Sequence, residues 1–178
     1  MNGGDACQGA PYGKELAAAG YRVLLFEFAG FGASTAAGAT KPQQVAAAAA
    51  YLRSDGVADV ALIGGSMGGT ASLVAATQIS PPVKAVVSLS APSSFSGDDA
   101  VSAVAKLAVP VFYTAGEYES SFVGNAQEMF AATPATVAKK LVLGAATASH
   151  GLWLTDPTVG VAGLRAEIKT FLQQHAPV

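Results

Sequence analysis

The sequence predicts an α/β fold: a doubly wound, mostly parallel sheet of about five strands with helices on both faces. Three observations predict it. Segments of helical and extended character alternate along the chain. The extended segments are near-continuous apolar runs rather than alternating ones, as strands covered on both faces are. The composition is 51% hydrophobic and 12% charged, with 20 glycines in 178 residues, which suits helices lying close on a sheet. That length is enough for one domain with a sizeable core, and residues 1–178 read as a single domain without repeat or linker.

In chain order, residues 11–19 are the first helical candidate and the apolar run 21–28 the first strand. Residues 42–53 are Ala-rich, which favours a helix, and that helix is expected to stop at Ser54-Asp55-Gly56. A strand at 60–63 leads into a helix at 67–78, and a strand at 84–89 follows the Pro81-Pro82 pair. Residues 90–99 are the longest polar Gly/Ser/Pro stretch, too short for a lid domain. The strand at 109–115 carries Pro110 near its start, where a missing N–H is tolerated. A helix at 124–131, a strand at 140–143 and a helix at 159–174 complete the alternation. Asp156, in the loop before the last helix, reads as a turn or helix-start residue.

Several function classes drop out on composition. A formal net charge of −2 without a basic cluster leaves no footprint for nucleic acid. Cys7 is the only cysteine, so neither a disulfide framework nor a cysteine-based metal site is expected. The first residues, Met1-Asn2-Gly3-Gly4-Asp5, have neither the basic nor the apolar region of a signal peptide. No apolar run approaches the roughly 20 residues of a membrane span. The expectation is a cytoplasmic protein, unless the chain was separated from an upstream export signal. Gly30-Phe31-Gly32 lacks a third glycine at dinucleotide-loop spacing, and neither glycine cluster has a P-loop lysine, so nucleotide binding is not expected.

The chemistry starts at Gly64-Gly65-Ser66-Met67-Gly68-Gly69, directly after the apolar run 60–63. Strand, serine on a tight turn, then small residues opening a helix is how a serine is presented as a nucleophile at a sheet edge. The flanking Gly64 and Gly68 would remove side chains that clash with such a turn, and the Met67 N–H would point to where an oxyanion forms. A nucleophilic serine needs a base, and the base needs an orienting acid. His175 lies at the end of the last helix, a poor place for proton transfer; His150 lies in a loop beyond a strand end. The acid is expected after the strand 109–115, in Gly116-Glu117-Tyr118-Glu119-Ser120. Glu119 is favoured because, three residues past Gly116, it can turn back over the sheet end; Glu117 is the competitor. Phe122 and Trp153 are candidates for a substrate pocket, with ordinary packing as the other reading.

The order Ser66…Glu119…His150 is that of one of the convergent catalytic triads, and the chain resembles the α/β-hydrolases, in particular compact esterases, lipases and dienelactone hydrolases. Residues 16–23, Leu-Ala-Ala-Ala-Gly-Tyr-Arg-Val, resemble the start of that family's fourth strand. Glu27-Phe28-Ala29-Gly30-Phe31-Gly32-Ala33-Ser34 resembles its Asp-x-Arg-Gly-x-Gly-x-Ser, with Glu and Ala replacing Asp and Arg. Residues 109–119 resemble its acid-bearing strand, with Glu for the usual Asp, and His150-Gly151 its terminal His-Gly. The family's sheet has about eight strands, and its third lies between the fourth and fifth. Residues 2–8 resemble the loop after that third strand, which supplies a second oxyanion N–H; here Asn2, or its neighbour Met1 or Gly3, would provide it. The chain therefore looks N-terminally shortened and without a cap domain. It is either a fragment of a longer hydrolase or a minimal form in which 21–28 pairs directly with 60–63.

The resemblance implies a serine hydrolase of small or short-acyl carboxylic esters that works through an acyl-enzyme and needs neither metal nor organic cofactor. Acyltransferase or thioesterase chemistry would use the same triad. A non-catalytic or weakly active hydrolase-fold protein is the reading from another class. The exposed side of an incomplete sheet would favour edge pairing into a homodimer.

Overall fold

Four parallel strands form the main sheet of the computed structural model, which describes residues 6–35 and 38–178. Strands β1 (Ala61–Gly65) and β2 (Ala85–Leu89) are followed by a two-residue hairpin, β3 (Ser94–Phe95) and β4 (Asp98–Asp99). Strands β5 (Val111–Gly116) and β6 (Lys139–Gly144) complete the set. The main sheet runs β1-β2-β5-β6, parallel throughout, with Ile63 beside Val87, Val87 beside Phe112 and Phe112 beside Lys140.

Helices cover both faces. They are α1 (Ala10–Ala18), α2 (Lys41–Ser54), α3 (Met67–Ala76), α4 (Ala100–Val104), α5 (Ser120–Ala132) and α6 (Leu164–His175). One core joins Val45 and Ala49 of α2, Leu73 of α3, Val104 of α4 and Met129 of α5 to Leu62, Val86, Val111 and Tyr113 of the sheet. The other joins Tyr12 and Leu16 of α1 and Leu164, Ile168 and Phe171 of α6 to Val87, Leu89 and Phe112. Successive residues of one strand thus enter opposite cores, which requires the unbroken apolar runs of the sequence. Every residue of β2 and β5 is buried.

Local chemistry sets the helix ends. Thr40 and Gln43 form a capping box at α2, the Thr40 Oγ1 accepting from the Gln43 N–H and the Gln43 side chain from the Thr40 N–H. Asp99 caps α4 by accepting from the Ser102 N–H at 2.9 Å. The last helix begins at Leu164 rather than 159. Asp156 Oδ1 accepts from the Thr158 and Val159 N–H groups in a turn, and Gly163 at φ 78° forms the helix boundary. Helix α5 begins at Ser120, four residues before the expected start, with Glu119 at the N-cap position but without a side-chain cap bond.

The sheet corrects one expectation: it has four strands, because 21–28 joins no ladder. Its apolar residues favour extended backbone, but a strand also needs a neighbour at ladder distance, and the free edge of β1 stands across a groove. A groove of about 540 Å³ is lined by Tyr21, Val23 and Leu25 of this segment and by Ala61, Ile63 and Gly65 of β1. Direct pairing of 21–28 with β1 therefore does not occur. The segment is tied by side chains instead. Arg22 pairs with Asp55 at 2.5 Å, the Ala29 N–H donates to Gln44 Oε1 at 2.7 Å, and the Ser34 hydroxyl donates to the Glu27 carbonyl at 2.9 Å.

Phe112 tests this architecture, since its fully buried ring packs edge-on against Phe171 with centroids 5.6 Å apart. Phe112→Ala is expected to cost about 3–5 kcal/mol of unfolding free energy in a urea titration.

Candidate active site

Ser66 follows β1 and caps α3 with φ 54° and ψ −128°, a backbone conformation that costs energy for any residue but glycine. The surroundings fix it. The Ser66 N–H donates to the Leu89 carbonyl at 2.8 Å, and its carbonyl accepts from the Gly69 N–H at 2.8 Å. The turn has room only for glycine at position 64, where a Cβ would lie 2.2 Å from the Gly68 carbonyl oxygen. Gly68 is less constrained than the sequence pattern suggests: a Cβ there would make an ordinary 3.6 Å contact with Phe28. Met67 is the first residue of α3. The first N–H groups of a helix have no acceptor within it and carry the positive end of its dipole, so the Met67 N–H stands where an anion beside Ser66 would be met. Asn2 lies outside the described residues.

Glu119 sits past the end of β5, 9% exposed. Its Oε2 accepts from the Gly116 N–H at 2.9 Å and from the Ser90 hydroxyl at 2.6 Å. Its Oε1 lies 2.5 Å from His150 Nδ1. Burial pushes the Glu119 carboxyl up, but the bonds from His150, Ser90 and Gly116, together with the imidazole charge, outweigh it and hold the group below its ordinary value. An ionised carboxylate only accepts, so Nδ1 is the donor, and whenever the imidazole is neutral the lone pair lies on Nε2. Glu117 goes elsewhere: its N–H donates to the Gly144 carbonyl and its Oε2 accepts from the Ala146 N–H at 2.7 Å. Of the two candidate acids, the structure brings Glu119 to His150.

The loop after β6 carries His150. Tyr118 donates its N–H to the Thr147 carbonyl at 3.0 Å, the Thr147 hydroxyl donates to the Val159 carbonyl at 3.0 Å, and the Ser149 hydroxyl donates to the same carbonyl. The next residues pass close to the elbow. A Cβ on Gly65 would lie 2.8 Å from the Leu152 nitrogen, and one on Gly151 would lie 3.5 Å from the Ser66 nitrogen. Phe122 of α5 packs on the His150 ring with centroids 4.5 Å apart, while Trp153 is 42% exposed in a short 3₁₀ turn. Neither lines the groove beside β1, which reaches Ser66, Met67, Gly151 and Leu152 at one end. His175 lies apart, its ring against Phe171.

Sequence reasoning missed Ser90. Completely buried at φ 48°, it follows the last residue of β2 and donates its N–H to the Thr114 carbonyl at 2.8 Å. The available signal was its place directly after an apolar strand, at the sheet end where Ser66 and Glu119 also lie.

Among the described residues, no cluster of His, Cys, Asp and Glu could hold a metal ion, and no helix is long and apolar enough to cross a membrane. A parallel sheet with a serine elbow at one strand end and a carboxylate–histidine pair beside it is the arrangement of a hydrolase fold. The chain belongs to the α/β-hydrolase family: the model of the alpha/beta hydrolase fold matches residues 3–115. No curated protein matches it by sequence. Among solved structures it is similar to a monoacylglycerol lipase from Paleococcus ferrophilus, with TM-score 0.77 and 16% identity over 98% of this chain and 91% of that one. The esterase domain of a Rhodothermus marinus protein gives TM-score 0.73 and 20% identity over 94% and 80% of the two chains. A dienelactone hydrolase from Anabaena variabilis gives TM-score 0.62 and 21% identity over 75% of this chain; the match spans 59% of the dienelactone hydrolase.

The depressed carboxyl of Glu119 makes a pH prediction. A group whose folded value lies below its unfolded one stabilises the fold above the unfolded value and loses that contribution as pH falls through the folded value. Wild type is therefore expected to melt above Glu119→Gln at neutral pH, with the gap in Tm narrowing as the solution is acidified below the ordinary glutamate value of about 4.3.

Proposed function

We propose that the protein is a serine hydrolase of carboxylic esters, in which Ser66, His150 and Glu119 form the catalytic triad. The observation that carries this reading is the 2.5 Å bond between Glu119 and His150 Nδ1, on a loop that runs against the strained Ser66 turn. Because Nδ1 donates to the carboxylate, Nε2 is the nitrogen available to take a proton from Ser66. In acylation, Ser66 Oγ attacks the ester carbonyl as His150 accepts the hydroxyl proton, and the Met67 N–H donates to the developing oxyanion. The tetrahedral intermediate collapses with loss of the alcohol, which takes its proton from His150. Water, deprotonated by His150, then attacks the acyl-enzyme, releasing the acid and restoring Ser66. Glu119 keeps the imidazole in one tautomer and offsets its charge in both steps.

Substrate size follows from the excursion between β2 and β5. It consists of the two-residue strands β3 and β4 and the five-residue α4, too short for a cap domain, and on that ground we take small or short-acyl esters as the substrates.

Hydrolysis of p-nitrophenyl acetate by wild type and Ser66→Ala tests the reading. Loss of Ser66 is expected to lower kcat by at least about 10³-fold without lowering Tm. Equal rates for the two proteins would replace this reading with that of a non-catalytic member of the family.

A further inference from the structure

Resting on the triad reading above, we propose that Ser90 is a positioning residue: its hydroxyl anchors one oxygen of Glu119 so that the other is presented to His150. Three observations point there. The hydroxyl reaches Glu119 Oε2 at 2.6 Å, and both residues are buried. The Ser90 backbone is pinned between two strands, its N–H on the Thr114 carbonyl of β5 and the preceding Leu89 carbonyl on the Ser66 N–H. Its φ of 48° is one that glycine adopts without cost, so the backbone alone gives no reason for a side chain here.

The physical case concerns what Oε2 would do without it. A carboxylate offers about four acceptor sites and rotates readily about its last torsion. The Gly116 N–H alone leaves Oε2 with a single donor. With the Ser90 hydroxyl added, Oε2 has two donors from different strand ends, and Oε1 is left to the imidazole. Among the described residues, His150 is the one titratable side chain hydrogen-bonded to Glu119; the neighbouring Glu117 carboxylate is engaged by Ala146. A hydrogen bond to a charged acceptor is worth about tenfold in an equilibrium or rate that depends on it.

Ser90→Gly separates positioning from a merely structural role, because glycine suits the backbone and takes away no more than the CH2OH group that carries the hydroxyl. The variant is expected to remain folded, with a Tm a few degrees below wild type at neutral pH because the buried carboxylate has lost a donor. Its kcat on p-nitrophenyl acetate should fall about tenfold with KM unchanged, and the acidic limb of kcat/KM should move to higher pH. Carbon NMR of the Glu119 carboxyl, which needs no turnover, should show its titration midpoint raised by about one unit. Wild-type kcat and pH profile in Ser90→Gly would overturn the proposal. If Ser66→Ala proves as active as wild type, the triad reading fails separately and the carboxyl titration alone decides. A raised midpoint would then support the anchoring of Glu119 by Ser90, and an unmoved one would refute it.

Discussion

A carboxylate removed from water is stable only where donors meet it, and the three donors around Glu119 come from three strand ends. Gly116 closes β5, Ser90 follows β2, and His150 lies on the loop after β6. Because the sheet is parallel, all these ends lie on one side of it, and so does the turn at Ser66 after β1. One buried charge thereby joins β2, β5 and β6, and the Leu89 carbonyl, bonded to the Ser66 N–H, extends the connection to β1. The same carboxylate makes His150 Nδ1 a hydrogen-bond donor. In the proposed triad, stability and chemistry therefore depend on one carboxylate.

The opposite requirement holds at the elbow. Ser66 is in a backbone region that an L-residue avoids, and it stays there because the sheet, α3 and the loop at Gly151 leave no alternative. Gly65 shows how tight the junction is, since any Cβ would press on the backbone at Gly151 and Leu152. The groove between 21–28 and β1 opens on this junction. Leu25 and Phe26 are 43% and 39% exposed, a large apolar exposure for one short run and a direct consequence of its standing off from the sheet.

The layers of the fold were legible in the sequence because burial on both faces writes itself as unbroken apolar runs, as in β2 and β5. The segment 21–28 carries the same signature without becoming a strand, since composition specifies a preference for extension and says nothing about an available edge. The start of α6 was misjudged because Asp156 and Gly163 delay it, while α5 begins at Ser120, ahead of the expected start, with no side-chain cap at Glu119. At the site, the turn at Ser66 was visible in its glycines, although Gly64 rather than Gly68 is the one the packing demands. The proximity of Glu119 and His150 could be inferred from strand order and from the distance to Gly116. Ser90 could not, because its bond to Glu119 depends on β2 lying beside β5, a neighbour relation that the linear order does not spell out.

The central claim, that His150 held by Glu119 activates Ser66, is tested most directly by covalent trapping with a fluorophosphonate, followed by mass mapping of the adduct. The account predicts a single adduct on Ser66, formed at a rate that falls by at least about 10²-fold in His150→Ala. Absence of an adduct on Ser66, or an unchanged labelling rate when His150 is removed, would contradict it.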